Sequence, residues 1–105
     1  MSKVVTSILR RIHWFEKVAP PNEFTPLPED IYSEFASIIK CTTYPEDVTY
    51  ISEIIEIRVR KILLAIANRK DNELKNLTRE EKRLYNDIKK AIKAWYKSLG
   101  LDLIT

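Results

Sequence analysis

The sequence predicts an all-α protein, a four-helix bundle-like domain around a long central third helix, and three observations carry that prediction. Apolar residues recur at spacings of three and four along most of the 105 residues, the mark of helices buried along one stripe. The five prolines fall between these periodic stretches or at their first residue, and the single glycine, Gly100, sits at the end of the last one. Finally, the stretch Ile51–Ala67 changes character halfway along. Ile51, Ile54 and Ile55 form one stripe, whereas 62–67 is apolar all the way round and calls for other helices to wrap it.

The first helix runs from a Ser2 cap to about Val18, with Val4, Val5, Ile8, Leu9, Ile12, Phe15 and Val18 as its apolar stripe. Ala19-Pro20-Pro21-Asn22 ends it, because proline lacks an amide and restricts the residue before it. An extended linker follows, anchored by Phe24 and Leu27. The second helix starts at Pro28, with Glu29 and Asp30 in a first turn that favours anions. It buries Ile31, Tyr32, Phe35, Ile38 and Ile39 and stops near Cys41. Pro45 opens the third helix, which reaches about Arg69 with Glu46 and Asp47 in its first turn.

After a polar loop at 70–76, Thr78 and Glu81 form a capping box for the fourth helix. Its stripe is the most regular in the chain: Leu84, Tyr85, Ile88, Ala91, Ile92, Trp95, Tyr96 and Leu99. Gly100 then stands at the C′ position, where a left-handed conformation is inexpensive. From Thr78 to Leu99 this helix spans about 33 Å.

Composition bounds the function. A chain 45% hydrophobic and 31% charged buries a core and is not disordered. No apolar run approaches the ~20 residues of a membrane span. The N-terminus lacks a small-residue cleavage site, and Arg10, Arg11 and His13 interrupt any signal-like core. A cytoplasmic location follows, and a lone Cys41 forbids an intramolecular disulfide. One glycine beside abundant Ile, Lys and Glu is the composition of a rigid, thermophile-type protein.

Catalytic chemistry is scarce. His13 is the only histidine and reads as a helix-boundary side chain. Cys41, without a second cysteine, excludes a Cys/His metal site and reads as a buried or helix-end thiol. One glycine cannot build a phosphate-cradling loop. No catalytic residue, cofactor or metal is expected, and the protein is read as no enzyme.

Three sets of residues stand out instead. Arg58 lies four residues from both Ile54 and Ile62, so it faces inward and needs a partner, which the cap of the fourth helix offers in Glu80 or Glu81. Ile8, Ile12, Trp14 and Phe15 on the first helix, with Trp95, Tyr96 and Leu99 on the fourth, exceed what a core this size encloses and form a candidate protein interface. Residues 69–97 hold ten Lys/Arg against five Asp/Glu. Lys89, Lys90, Lys93 and Lys97 share one face there, which is a solvated face or a weak nucleic-acid contact. A small helical nucleic-acid-binding domain using that face is the alternative function.

Several short patterns coincide with a known family. Leu27-Pro28-Glu29-Asp30-Ile31-Tyr32 resembles the Leu-Pro-x-Asp-Phe-Tyr element of archaeal GINS replication-factor subunits. Arg58-Val59-Arg60-Lys61-Ile62 is similar to their Arg-x-x-Lys-Ile signature, and Leu77-Thr78-Arg79-Glu80-Glu81-Lys82-Arg83-Leu84-Tyr85 to their Leu-Thr-x-Glu-Glu-x-x-Leu-Tyr helix opening. The order and spacing also agree, over roughly Ser7 to Leu99, with the subunit type whose helical domain comes first. The resemblance implies a non-catalytic assembly subunit that pairs with related subunits, as homo- or hetero-oligomer. That assembly would join the MCM helicase and a RecJ-like protein at the replication fork, placing the protein at the nucleoid. Two differences stand: Ile31 replaces the family's Phe, and Thr105 is reached without the family's β-rich second domain. Residues 1–100 are therefore read as the helical domain, and 101–105 as a tail or the start of a second domain.

Overall fold

The computed structural model describes residues 3–101 and 103. Four α-helices make up most of them: α1 (Lys3–Val18), α2 (Ile31–Cys41), α3 (Pro45–Ala67) and α4 (Arg79–Ser98). A 3-10 turn at Asp71–Glu73 precedes α4, and no strand occurs among the described residues. The expected Ser2 cap lies outside the described residues.

α1 and α3 form the central pair. Thr6 bonds Asp47, Arg10 bonds Tyr50, His13 pairs with Glu53, and Glu16 pairs with Arg58. The nearly constant offset means that the two helices run side by side in the same direction. A parallel pair needs a return connection, and the segment 19–30 with α2 supplies it. Leu9, Ile31, Phe35, Ile51 and Ile54 form the buried cluster, with Val5, Ile12, Leu27, Tyr32, Ile38, Tyr50 and Ile55 packed around it. Ile51, Ile54 and Ile62 are fully buried, which stabilises the fold by roughly 1.5–3 kcal/mol for each side chain.

Several boundaries and faces differ from the sequence reading. α2 begins at Ile31, not Pro28, because Pro28, Glu29 and Asp30 form a turn in which the Pro28 carbonyl accepts from the Ile31 amide. α3 ends at Ala67, where Arg69 takes a left-handed conformation (φ 57°). The apolar stripe of α1 is split: Leu9 is buried and Val5 and Ile12 half-buried, while Val4, Ile8, Phe15 and Val18 are exposed. Thr6 and Glu16 occupy the buried line instead. Ile39 is exposed rather than buried on α2, and Cys41 is an exposed helix-end thiol. Among the described residues the wrapping expected around 62–67 does not occur, since Leu63, Leu64 and Ala67 are exposed.

α4 follows the same pattern. Its first half lies against α3 and the 71–73 turn, where Tyr85 and Lys89 both reach Asp71. From Lys90 to Ser98 every residue except Tyr96 is exposed, so the second half projects from the body. The longest dimension of the fold is correspondingly 54 Å against 27 and 20 Å. A Schellman motif closes α4, with the Gly100 amide on the Lys97 carbonyl at 3.1 Å and the Leu101 amide on the Tyr96 carbonyl at 2.9 Å. Gly100 provides the positive φ of 73° that this ending requires.

Candidate functional site

Arg58 is the centre of a buried charge cluster. Its stripe on α3 runs Ile51, Ile54, Arg58, Lys61, Ile62, Ala65, all buried, so packing on either side holds the guanidinium inside. Nε and Nη2 grip the Glu81 carboxylate at 2.6 and 2.7 Å in a two-pronged pair. Nη1 donates to Glu16 Oε2 at 2.7 Å and to the Thr25 carbonyl at 2.8 Å, and Nη2 also to the Asn76 carbonyl at 3.0 Å. All five guanidinium hydrogens are thus used. Lys61 Nζ likewise spends its three on Glu16 Oε1, the Glu16 carbonyl and the Glu23 carbonyl. Two cations face two carboxylates, so the formal charges of this cluster cancel.

The cluster fastens the 19–30 segment, which has no regular structure of its own. The Thr25 amide donates to both Glu16 oxygens, and Asn76 Nδ2 donates to the Phe24 carbonyl. Phe24 is buried with Arg58 over its ring at 4.9 Å and Lys61 at 5.6 Å, an arrangement that favours cations when desolvated. Glu81 joins this cluster to the α4 cap. Its amide donates to Thr78 Oγ1 at 3.3 Å, and its Oε1 accepts from the Thr78 amide at 3.0 Å. Tyr32 Oη on α2 donates to Glu81 Oε2 at 2.6 Å. One carboxylate thereby links α2, α3 and α4.

Protonation follows from this geometry. Burial pushes the Glu81 carboxyl up, but hydrogen bonds from Arg58 and Tyr32 outweigh it and hold the group below the usual glutamate range. Burial and the bond to Glu81 push the Tyr32 phenol far above its ordinary value. Burial pulls the Arg58 guanidinium down, yet Glu81 and Glu16 outweigh that and raise it above its ordinary value. At the far end of α3, hydrogen bonds from Tyr85 and then Lys89 hold the Asp71 carboxyl below its normal range.

The other candidate residues fall as follows. Glu80 lies outside the cluster: its Oε1 meets Arg79 at 3.4 Å, and its buried Oε2 finds no hydrogen-bond partner among the described residues. Trp14 and Trp95 are 60% and 59% exposed, and Ile8, Phe15 and Leu99 are exposed as well. Ile12 packs against the core and Tyr96 is half-buried against Trp95. Lys90, Lys93 and Lys97 are exposed, while Lys89 is drawn to Asp71 at 3.1 Å. His13 pairs with Glu53 at 2.7 Å and lies on Tyr50. No group of three or more His, Cys, Asp or Glu suited to a metal occurs among the described residues.

Sequence reading missed Glu16, Lys61 and the buried Asp47, which accepts from Thr6 Oγ1 at 2.6 Å and from Thr42 Oγ1. The signal was present for two of them. Glu16 follows Leu9 by seven and Ile12 by four, and Lys61 follows Ile54 by seven, so both lie on buried lines.

A family model described as Sld5, GINS complex protein helical bundle domain, matches residues 5–100. No match is found among curated proteins or among solved structures.

Proposed function

The chain belongs to the GINS complex helical-bundle family, and from that premise we propose that it is a non-catalytic assembly subunit whose α1 and α4 dock related subunits. One observation carries this reading: α1 and α4 each keep an apolar face that the described helices do not cover. On α1, Val4, Ile8, Phe15 and Val18 fall at i, i+4, i+11 and i+14 with only Arg11 between them at i+7. That is the spacing of a seam which accepts a second helix. On the projecting half of α4, Ile92, Trp95 and Leu99 continue the stripe that α3 covers lower down. A Trp buries 150–250 Å² in full, so covering the exposed part of Trp95 contributes roughly 2–4 kcal/mol.

The finer role extends the resemblance of the Leu27–Tyr32, Arg58–Ile62 and Leu77–Tyr85 motifs to archaeal members. In that role the assembled subunits hold the MCM helicase and a RecJ-like protein together at the nucleoid, and the chain contributes surface rather than turnover. The single Gly and the saturated charge cluster suit a rigid connector of a thermophile. No described helix is long and apolar enough to cross a membrane.

Sedimentation at micromolar concentration tests the reading, with the chain alone and mixed with related subunits, the MCM helicase and the RecJ-like protein. Association is expected, and Trp14→Ala and Trp95→Ala should weaken it while leaving the helical circular dichroism unchanged. A chain that remains monomeric and joins none of these proteins would overturn it.

A further inference from the structure

Helix stability explains only part of the charge on α4: Glu80 and Glu81 in the first turn and Lys97 in the last suit the dipole, whereas the run of cations between them does not. The helix carries seven Lys/Arg against three carboxylates, a surplus of four, whereas the whole chain has a surplus of three. The rest of the protein is therefore slightly acidic, and its positive charge resides in one helix. All seven cations fall within about 120° of arc, and Glu80, Glu81 and Asp87 lie off it. Lys89 is engaged by Asp71 and Arg79 by Glu80. No described carboxylate forms a salt bridge with Lys82, Arg83, Lys90, Lys93 or Lys97, all of which are exposed. Arg79–Arg83, Lys89–Lys93 and Lys93–Lys97 are like-charge pairs at i, i+4, which weaken a helix. A face built for solubility would interleave carboxylates at that spacing, and here only Asp87, four residues after Arg83, does so.

An anionic partner offsets this repulsion. We propose that the outer face of α4 contacts the phosphodiester backbone of nucleic acid through Lys82, Arg83, Lys90, Lys93 and Lys97, without reading sequence. Arg79 to Lys97 spans about 27 Å, a length over which a duplex presents on the order of 16 phosphate charges. Lysine supplies most of the contact as a point charge on a flexible stem, which suits backbone phosphate better than base edges. The cationic arc lies roughly 150° round the helix from Ile88, Ile92 and Trp95, so nucleic acid and a docked subunit can be held together.

A cationic helix with an exposed Trp also invites comparison with a lipid-surface helix. The geometry favours nucleic acid. Lipid would have to receive the apolar face, but Leu84, Tyr85 and Ile88 are half-buried against the body and only the last turns are free. The cations instead are accessible along the full length.

The test is fluorescence anisotropy of a labelled DNA duplex of arbitrary sequence, titrated with the intact chain across salt concentrations. Five contacts give a slope of log K against log salt of about −4.5, a fall of about 500-fold between about 50 and about 200 mM. Lys90→Gln/Lys93→Gln/Lys97→Gln leaves two contacts, and the slope should drop to about −1.8. Lys3→Gln/Lys17→Gln/Lys40→Gln removes the same charge from exposed sites elsewhere and should keep the wild-type slope. Circular dichroism confirms that each variant is folded. Absence of saturable binding at low salt would overturn the assignment, as would equal slopes for the two triple variants. Binding to phosphatidylserine vesicles but not to the duplex would overturn it in favour of a lipid surface.

Discussion

Replacing Arg58 by methionine probes the centre of the fold. The side chain is fully buried, and its five hydrogens bond two carboxylates and two carbonyls. Methionine fills much of the space but leaves Glu81 without its strongest partner and Glu16 with only Lys61 and the Thr25 amide. Stranding one member of a buried ionic cluster costs about 3–5 kcal/mol. A domain of this size has on the order of 5–15 kcal/mol in all, so the variant should lose roughly a fifth or more of its stability. Urea unfolding followed by far-ultraviolet circular dichroism measures it, as a lower midpoint at unchanged m-value.

A second variant separates the stranded charge from lost packing. In Arg58→Met/Glu81→Gln the carboxylate leaves with the cation, while glutamine can still close the α4 cap. The double variant should be more stable than Arg58→Met by about 1.5 kcal/mol or more, the value of a hydrogen bond to a charged group. A loss under about 0.5 kcal/mol in Arg58→Met would mean that the guanidinium is solvated. A double variant less stable than the single one would show that Glu81 does not depend on Arg58. Either result refutes the reasoning.

Three further outcomes follow from the same geometry. Because the folded-state carboxyls of Glu81 and Asp71 lie below their free values of 4.5 and 3.8, their ionised forms favour the fold. That contribution is complete above about pH 6 and drains away as pH falls through the free values towards the folded ones; acid unfolding curves should show it, with a shallower limb in Arg58→Met/Glu81→Gln. Thr78→Ala removes the acceptor for the Glu81 amide and should cost about 1 kcal/mol, with an unchanged melting temperature counting against the cap. Gly100→Ala meets no neighbouring atom but must hold φ at 73°, so a loss of about 1 kcal/mol from backbone strain alone is expected in urea unfolding.

Much of the fold was legible because local chemistry sets it. Pro45 with Glu46 and Asp47, and Thr78 with Glu81, mark helix starts by rules that need no tertiary partner. Pro28 misled for the same reason: it satisfies the rule for a first helical residue, but Glu29 serves elsewhere, accepting from the Arg79 amide at 3.0 Å. Arg58 could be placed because a cation between Ile54 and Ile62 has to face inward. Its second carboxylate could not, since Glu16 is 42 residues away in sequence and pairs with it only once α1 and α3 run parallel. Asp47 shows the limit of reading a residue in one role. A first-turn acid satisfies the helix dipole by itself, which hides its buried bonds to Thr6 and Thr42.

The least legible feature is which apolar stripe the protein keeps for itself. Leu84, Ile88, Ile92, Trp95 and Leu99 form one continuous line in the sequence, yet the body half-buries only the first two. Periodicity reports that a face will be covered and carries no information on whose atoms cover it. The same holds for α1, where Val5, Leu9 and Ile12 pack inward while Val4, Ile8, Phe15 and Val18 do not. Length decides between the two uses. α3 ends at Ala67 and the chain turns back through Asp71, so α4, about 30 Å long, begins alongside the middle of α3 and outruns it by nearly half its length. A helix anchored at one end by the saturated Arg58–Glu81 pair and bare at the other presents its distal apolar face at a fixed angle. If a related subunit docks there as proposed, holding the helix base in place lowers the entropy lost on docking.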